Sequence, residues 1–263
     1  CIKHKKVTVD DKEFVDRTAL VTGGSRGIGR AICQRLARSG ARVAINYVAN
    51  KSAAEETQRL VAGENGASEI YCADVGDPKQ ISDMFESIER DLGAVDLLVT
   101  NAGIARSADS VSMSFEIWRE IMRTNLDGTF HQVWRAKDGM IEHGYGRIVC
   151  ISSVLGLVPN QISPERLIAY GTSKSAVIGF VRNCAVAFGP YVRVNGVAPG
   201  WIDTEMTEDI SEDARRRLIE ATPLKRVGKT AEIAELVHFL LSDKSSFTTG
   251  QTHVASGGLG TLP

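Results

Sequence analysis

Leu20-Val21-Thr22-Gly23-Gly24-Ser25-Arg26-Gly27-Ile28-Gly29 decides the fold. An apolar run ends at Thr22, a glycine-rich turn follows, and Ile28 opens a stretch with helical apolar spacing. Strand, turn and helix start in that order are the opening of a βαβ unit. Glycines let the backbone approach a pyrophosphate closely, and the amides and macrodipole at the start of the helix favour its negative charge. Gly23, Ser25, Arg26, Gly27, Ile28 and Gly29 are therefore the first candidate contacts of a dinucleotide.

Outward from this turn, short β-rich apolar runs alternate with amphipathic stretches up to Val254. Strands are predicted at 18–22, 42–46, 69–72, 95–100, 146–151, 193–197 and 251–254. Helices are predicted at 28–39, 52–62, 78–91, 114–141, 168–188 and 231–241, with Pro78 suited to a first helical turn and Ser114 with Glu116 to a polar helix start. The alternation predicts an α/β, Rossmann-like, doubly wound parallel sheet of about seven strands with helices on both faces. With no repeat or composition break in 263 residues, we expect a tail at 1–13 and one dinucleotide-binding domain at 14–263. Its polar stretch at 201–229 is a candidate substrate lid.

Bulk properties narrow the function. Formal charge is −1, from 31 basic and 32 acidic residues, so no overall field draws the chain towards nucleic acid or anionic lipid. The Lys3-His4-Lys5-Lys6 cluster reads as a solvated terminus. Five cysteines with no Cys-x-x-Cys pair signal neither a disulfide framework nor a zinc site, which fits the cytoplasm. No apolar run reaches the roughly 18 residues that span a bilayer. The chain opens on Cys1 rather than Met, so its natural start is expected upstream.

The strongest chemical signal is Tyr170-Gly171-Thr172-Ser173-Lys174, which sets Tyr and Lys four residues apart on one helix face. A phenol titrates near pH ~10, and a neighbouring ammonium and an oxidised nicotinamide would both bring it closer to neutrality. Ser153 follows the predicted fifth strand, at the carboxyl edge where such sheets bind ligands, and can hydrogen-bond a substrate oxygen. Cys150, by contrast, reads as a buried strand residue. His131, His238 and His253 lack metal-ligand spacing, no metal is expected, and Trp118 and Trp134 are expected to pack.

The spacing Thr-Gly-x-x-x-Gly-x-Gly at 22–29 resembles the short-chain dehydrogenase/reductase family, and the resemblance runs from about Arg17 to Gly258. It implies a catalytic group of Asn125, Ser153, Tyr170 and Lys174, with Lys174 also on the nicotinamide ribose and Asn125 helping to hold a proton-relay water. Bracing of a helix kink is an alternative role for Asn125. The resemblance further implies that Asp74 and Val75 line the adenine, and that Asn101, Ala102 and Gly103 stabilise the sheet beside the cofactor. Thr100 stands where the family usually has a first Asn. Pro199 and Gly200 begin a loop in which Ile202 and Thr204 would hold the carboxamide.

A carboxylate closing the second strand would bind a ribose 2′-hydroxyl and repel a 2′-phosphate. Here Asn46 and Tyr47 close it, and Arg26 offers a forked guanidinium, so NADP(H) is the expected cofactor. If Arg26 is merely a solvated loop residue, NAD(H) stays open.

The segments at 198–206 and 249–258 most resemble the family's 3-oxoacyl thioester reductases, which act on acyl carrier protein or coenzyme A. Two features depart from the pattern. The stretch between Ser153 and Tyr170 is about four residues longer than usual, setting 157–167 beside the substrate cavity. The connection Phe188-Gly189-Pro190-Tyr191-Val192 carries no basic residue, which counts against docking of an acidic carrier protein. Other carbonyls, in sugars, polyols, steroids or small ketones, are the rival substrates, and a non-catalytic dinucleotide sensor is the rival class. The apolar faces of the helices at 114–141 and 168–188 suit a four-helix contact, and relatives of this kind are commonly homotetramers.

Overall fold

The computed structural model describes residues 12–64, 66–106, 113–159, 167–205 and 211–260. Seven parallel strands form one sheet: β1 (Thr18–Val21), β2 (Arg42–Tyr47), β3 (Ser68–Cys72), β4 (Val95–Thr100), β5 (Gly146–Ile151), β6 (Val192–Pro199) and β7 (Thr252–Ala255). Their spatial order is β3-β2-β1-β4-β5-β6-β7. The single-domain Rossmann-like sheet is as the sequence predicts, with each strand within two residues of its expected ends.

Among the described residues eight α-helices cover it: α1 (Gly27–Arg38), α2 (Lys51–Gly63), α3 (Pro78–Asp91), α4 (Phe115–Met122), α5 (Gly128–Glu142), α6 (Ile168–Phe188), α7 (Glu212–Ala221) and α8 (Thr230–Leu241). Strand side chains alternate between two cores, as a period of two requires. Leu20 and Leu98 pack with Phe85 of α3, Val133 of α5 and Val177 of α6. Ala19, Val21 and Leu97 pack with Leu36 of α1, Val61 of α2 and Val237 of α8. Burial of each large apolar side chain contributes roughly 2 kcal/mol.

β1 has β2 on one side and β4 on the other, so successive strands run outwards in both directions from that point. Loops at the carboxyl ends of β1 and β4 consequently diverge and leave a crevice between them.

The single helix expected at 114–141 is interrupted. Between α4 and α5 lies a wider π turn, Arg123–Asp127, which contains Asn125. Thr129 Oγ1 donates to the Asn125 carbonyl at 2.8 Å, and such an insertion is a common mark of a functional position. The segment 201–229 contains α7, which its polar composition concealed; α7 has no buried residue and is capped by Ser211. Residues 206–210, the tail at 1–11 and residues 160–166 of the long 157–167 stretch lie outside the described residues.

One minor expectation is corrected. Trp134 is 48% exposed, stacked on Phe130 on the outer face of α5 rather than packed in the core. His238 is buried, within 2.9 Å of the Ser39 hydroxyl, because α8 packs closely on α1.

Candidate active site

The turn after β1 forms because its glycines occupy positions that a side chain cannot. Gly23 and Gly27 have φ of +60° and +52°, and a Cβ on Gly29 would lie 2.2 Å from the Gly23 carbonyl oxygen. Asn101 Nδ2 donates to the carbonyls of Thr22 and Gly23 at 2.9 and 3.2 Å, holding the turn against the end of β4. Asn46 holds it from the other side. Its Oδ1 accepts from Gly23 N at 3.2 Å, and its Nδ2 donates to Tyr47 O, Tyr71 O and Ala73 O. These bonds hold Asn46 between the glycine turn and the ends of β2 and β3, where it also lines the crevice.

Ser25, Arg26, Gly27 and Ile28 line the crevice, with Tyr47, Asp74, Val75, Asn101, Ala102 and Gly103 on its remaining walls. Arg26 is exposed and extended (φ −158°), immediately before α1. Along the crevice wall, the Asp74 carboxylate accepts from Gly76 N at 2.9 Å and from Arg123 at 2.8 Å. Arg123 belongs to the π turn, so this ion pair joins that wall to the segment carrying Asn125.

At the other end of the crevice stand Ser153, Tyr170 and Lys174. Lys174 is 4% exposed, and its Nζ donates to the Ile151 carbonyl at 2.8 Å. Burial lowers its pKa to about 8. The Lys174 Nζ lies 5.7 Å from the centroid of the Tyr170 ring. For Tyr170 the outcome differs from the sequence expectation: burial pushes the phenol above its usual 10, and only the Ser153 hydrogen bond pulls it back. Desolvation outweighs the Ser153 bond, and a positive charge at the crevice, the place expected for an oxidised nicotinamide, would favour the phenolate.

Ser153 caps a 3-10 turn at Val154–Gly156, and its Oγ accepts from Leu155 N at 3.2 Å. The adjacent Ser152 points the other way, its Oγ bound to the Lys174 carbonyl at 2.8 Å. Asn125 is fully buried. Its Oδ1 accepts from Ile104 N at 2.9 Å, and its Nδ2 donates to Ile104 O at 3.0 Å and Ser173 Oγ at 3.1 Å. That is the bracing role. Asn125 Oδ1 and Lys174 Nζ both lie beside Gly103, 3.2 and 3.4 Å from where its Cβ would stand.

Pro199 and Thr204 line the crevice, Gly200 N donates to Ala255 O at 2.9 Å, and Ile202 is buried and bridged to Gly228. The Thr204 methyl stands 3.4 Å from the Cβ position of Gly27. The loop after β6 thus folds back over the glycine turn.

Sequence reading missed several supporting residues. Arg30 donates to Ser25 O at 2.7 Å and to Thr57 Oγ1 at 3.0 Å, tying the turn to α2. Its only sequence signal was a charge on an otherwise inward helix face. Arg123 and Glu205, which also lines the crevice, carried no motif. Among the described residues, no group of three His, Cys, Asp or Glu could hold a metal.

An extended dinucleotide fits this crevice: there is a cradle that a Cβ would fill, a helix start for the phosphates, a guanidinium at its rim, and a buried ammonium at the far end. Fold and crevice together define a nucleotide-binding α/β protein of the oxidoreductase type. A family model described as "Enoyl-(Acyl carrier protein) reductase" matches residues 23–260. The chain is 36% identical over 244 residues to the 3-oxoacyl-(acyl-carrier-protein) reductase FabG of Staphylococcus aureus, covering 92% of this chain and 98% of that one. It is 40% identical over 248 residues to the acetoacetyl-CoA reductase of Rhizobium meliloti, covering 93% and 98%. A gluconate 5-dehydrogenase from Burkholderia cenocepacia, solved with NADP and tartrate, superposes with a TM-score of 0.89 at 32% identity, covering 97% and 99%. The chain belongs to the short-chain dehydrogenase/reductase family.

Proposed function

We propose that the protein reduces the 3-oxo group of an acyl thioester to the 3-hydroxy group with NADPH. The observation that carries this reading is the convergence of Ser153, Tyr170 and Lys174 at one end of a dinucleotide crevice, in a chain 36–40% identical to relatives named for that reaction. When bound, the nicotinamide supplies a hydride to the carbonyl carbon.

The remaining steps belong to the chain. Tyr170 Oη donates its proton to the carbonyl oxygen, and Ser153 Oγ donates a hydrogen bond to the same oxygen. Because Leu155 N already occupies one lone pair of the Ser153 hydroxyl, that hydroxyl's own proton is directed away from the turn. Lys174 holds positive charge beneath the phenol and reaches the nicotinamide ribose. Asn125 keeps the π turn open beside Lys174, where a water can return the proton. Ile202, through backbone groups, and Thr204, through its hydroxyl, hold the carboxamide. Alcohol oxidation runs these steps backwards.

Arg26 at the rim, with no acid at the end of β2, supports the 2′-phosphate form of the cofactor. The segment 201–229 acts as a lid on a domain running from 14 to 263, with 1–13 as a tail. We infer a homotetramer, supported by aromatic and aliphatic side chains left on the outer faces of α5 and α6: Phe130 (39% exposed), Trp134 (48%) and Val186 (87%). Among the described residues no helix is long and apolar enough to cross a membrane, and a cytoplasmic location fits the free cysteines. Coenzyme A is favoured over a carrier protein as the thioester's handle because the connection at 188–192 carries no cation.

A sugar or polyol substrate is the second reading, favoured by the likeness to the gluconate 5-dehydrogenase. The deciding experiment follows NADPH and NADH oxidation at neutral pH with acetoacetyl-CoA, a 3-oxoacyl carrier protein, simple ketones and sugars. Thioester reduction selective for NADPH supports the proposal, and activity confined to other carbonyls removes the substrate assignment. Cofactor binding without turnover leaves a dinucleotide sensor.

A further inference from the structure

After β7 the chain runs past three neighbouring segments in turn. Gly200 N donates to Ala255 O at 2.9 Å, and a Cβ on Gly200 would lie 2.6 Å from Ser256 Cα, so the first contact is with the loop that follows β6. Leu224 N donates to Gly257 O at 3.1 Å, while Cβ atoms on Gly257 and Gly258 would come 2.9 Å from Thr222 and 2.7 Å from Pro223. That second contact is with the end of α7 in the polar segment. At Gly260 (φ +71°) a Cβ would stand 2.7 Å from a Val158 methyl and 2.8 Å from a Val154 methyl. Val154 opens the 3-10 turn whose Leu155 amide holds the Ser153 hydroxyl.

We propose that residues 256–260 form a strap that fixes the spacing between the Ser153 turn, the end of α7 and the Pro199-Gly200 loop, with Gly260 as a residue that determines how bulky a carbonyl substrate can be. This rests on the reading that Ser153 and Tyr170 receive a carbonyl. The side chain missing at Gly260 is what lets the strap lie against Val154 and Val158. Restoring it displaces the turn behind Ser153 and narrows the space between that turn and α7. The atoms nearest a Gly260 Cβ belong to Val154 and Val158, so Gly260 acts on substrate through the wall.

Gly260→Ala tests this, with kcat and KM measured for a compact and a bulky carbonyl of whichever class the wild type reduces, alongside cofactor Kd. The expected result is a fall in kcat/KM of about tenfold or more for the bulky substrate, a much smaller fall for the compact one, and an unchanged cofactor Kd. Val154→Ala and Val158→Ala added to Gly260→Ala make room for the new methyl and restore the bulky substrate. Should Gly260→Ala not fold, Val158→Ala alone is expected to raise the ratio of bulky to compact kcat/KM. Equal losses for both substrates, a parallel loss of cofactor binding, or an unchanged ratio in Val158→Ala overturns the strap. The wild-type substrate panel is read first, so loss of the thioester assignment is seen separately and the strap is then tested on the class that turns over. A wild type that reduces no carbonyl overturns both.

Discussion

Asn125 Nδ2 lies 3.1 Å from Ser173 Oγ, and that hydroxyl donates in turn to the Tyr170 carbonyl at 2.7 Å. One buried side chain therefore ties the π turn to the helix that carries both Tyr170 and Lys174. In Asn125→Asp the bond from Ile104 N survives, but the donors to Ile104 O and Ser173 Oγ are lost. Breaking a buried network of this kind costs about 2–4 kcal/mol, so calorimetry should show a melting temperature lower by about 5–10 °C. An unchanged melting temperature would mean that the brace contributes nothing.

Tyr170→Phe removes one hydroxyl and leaves the crevice intact. Turnover should fall by about 10²–10⁴ fold, the usual share of a positioned proton donor, while NADPH still binds. Stopped-flow hydride transfer and cofactor fluorescence measure the two quantities separately. Turnover near the wild-type rate sinks the proposed mechanism.

Arg26 is exposed at the rim, so its worth is set by hydrogen bonding to a phosphate more than by charge alone. Arg26→Ala is expected to weaken NADPH about tenfold or more and to leave NADH nearly unaffected. Titration calorimetry with both cofactors decides it, and equal losses remove the basis for the 2′-phosphate assignment.

Lys174 gives a pH signature. Its pKa is about 8 in the folded chain against an unfolded value near 10.5, so between those values the unfolded chain holds more protons and stability rises with pH. Folding with the buried ammonium costs about 3 kcal/mol below pH ~8, a cost that disappears as pH climbs to ~10.5. Lys174→Met lacks this dependence. Urea unfolding of both proteins at several pH values should show wild type gaining on the variant across that window. Parallel curves would show that Lys174 is not charged at a cost in the fold.

Much of the frame was legible because it rests on local patterns. The β-rich runs at 18–22 and 95–100 had to be strands buried on both faces, and the glycines at 23, 27 and 29 announced a turn that nothing larger can form. Tyr170 and Lys174 were legible by spacing alone. What stayed hidden depends on distant partners. The π turn arises where Asn125 is drawn to Ile104 and Ser173, and no periodicity within 114–141 encodes that pull. Asn46 was legible only as a residue closing β2 without an acid, and its bonds to the carbonyls of Tyr47, Tyr71 and Ala73 depend on the neighbouring backbone. The direction of the Tyr170 shift stayed hidden because sequence cannot weigh burial against charge.

The strap at 256–260 also bears on how the molecule is made. The glycine turn at Gly23–Gly29 emerges from the ribosome early, whereas the strap emerges more than 220 residues later, a delay of about ten to forty-five seconds at ordinary elongation rates. A nascent chain thus carries the turn that opens the crevice long before the contacts that gauge its substrate. Any clipped product ending shortly before Ser256 would keep the means to hold a dinucleotide while losing the gauge.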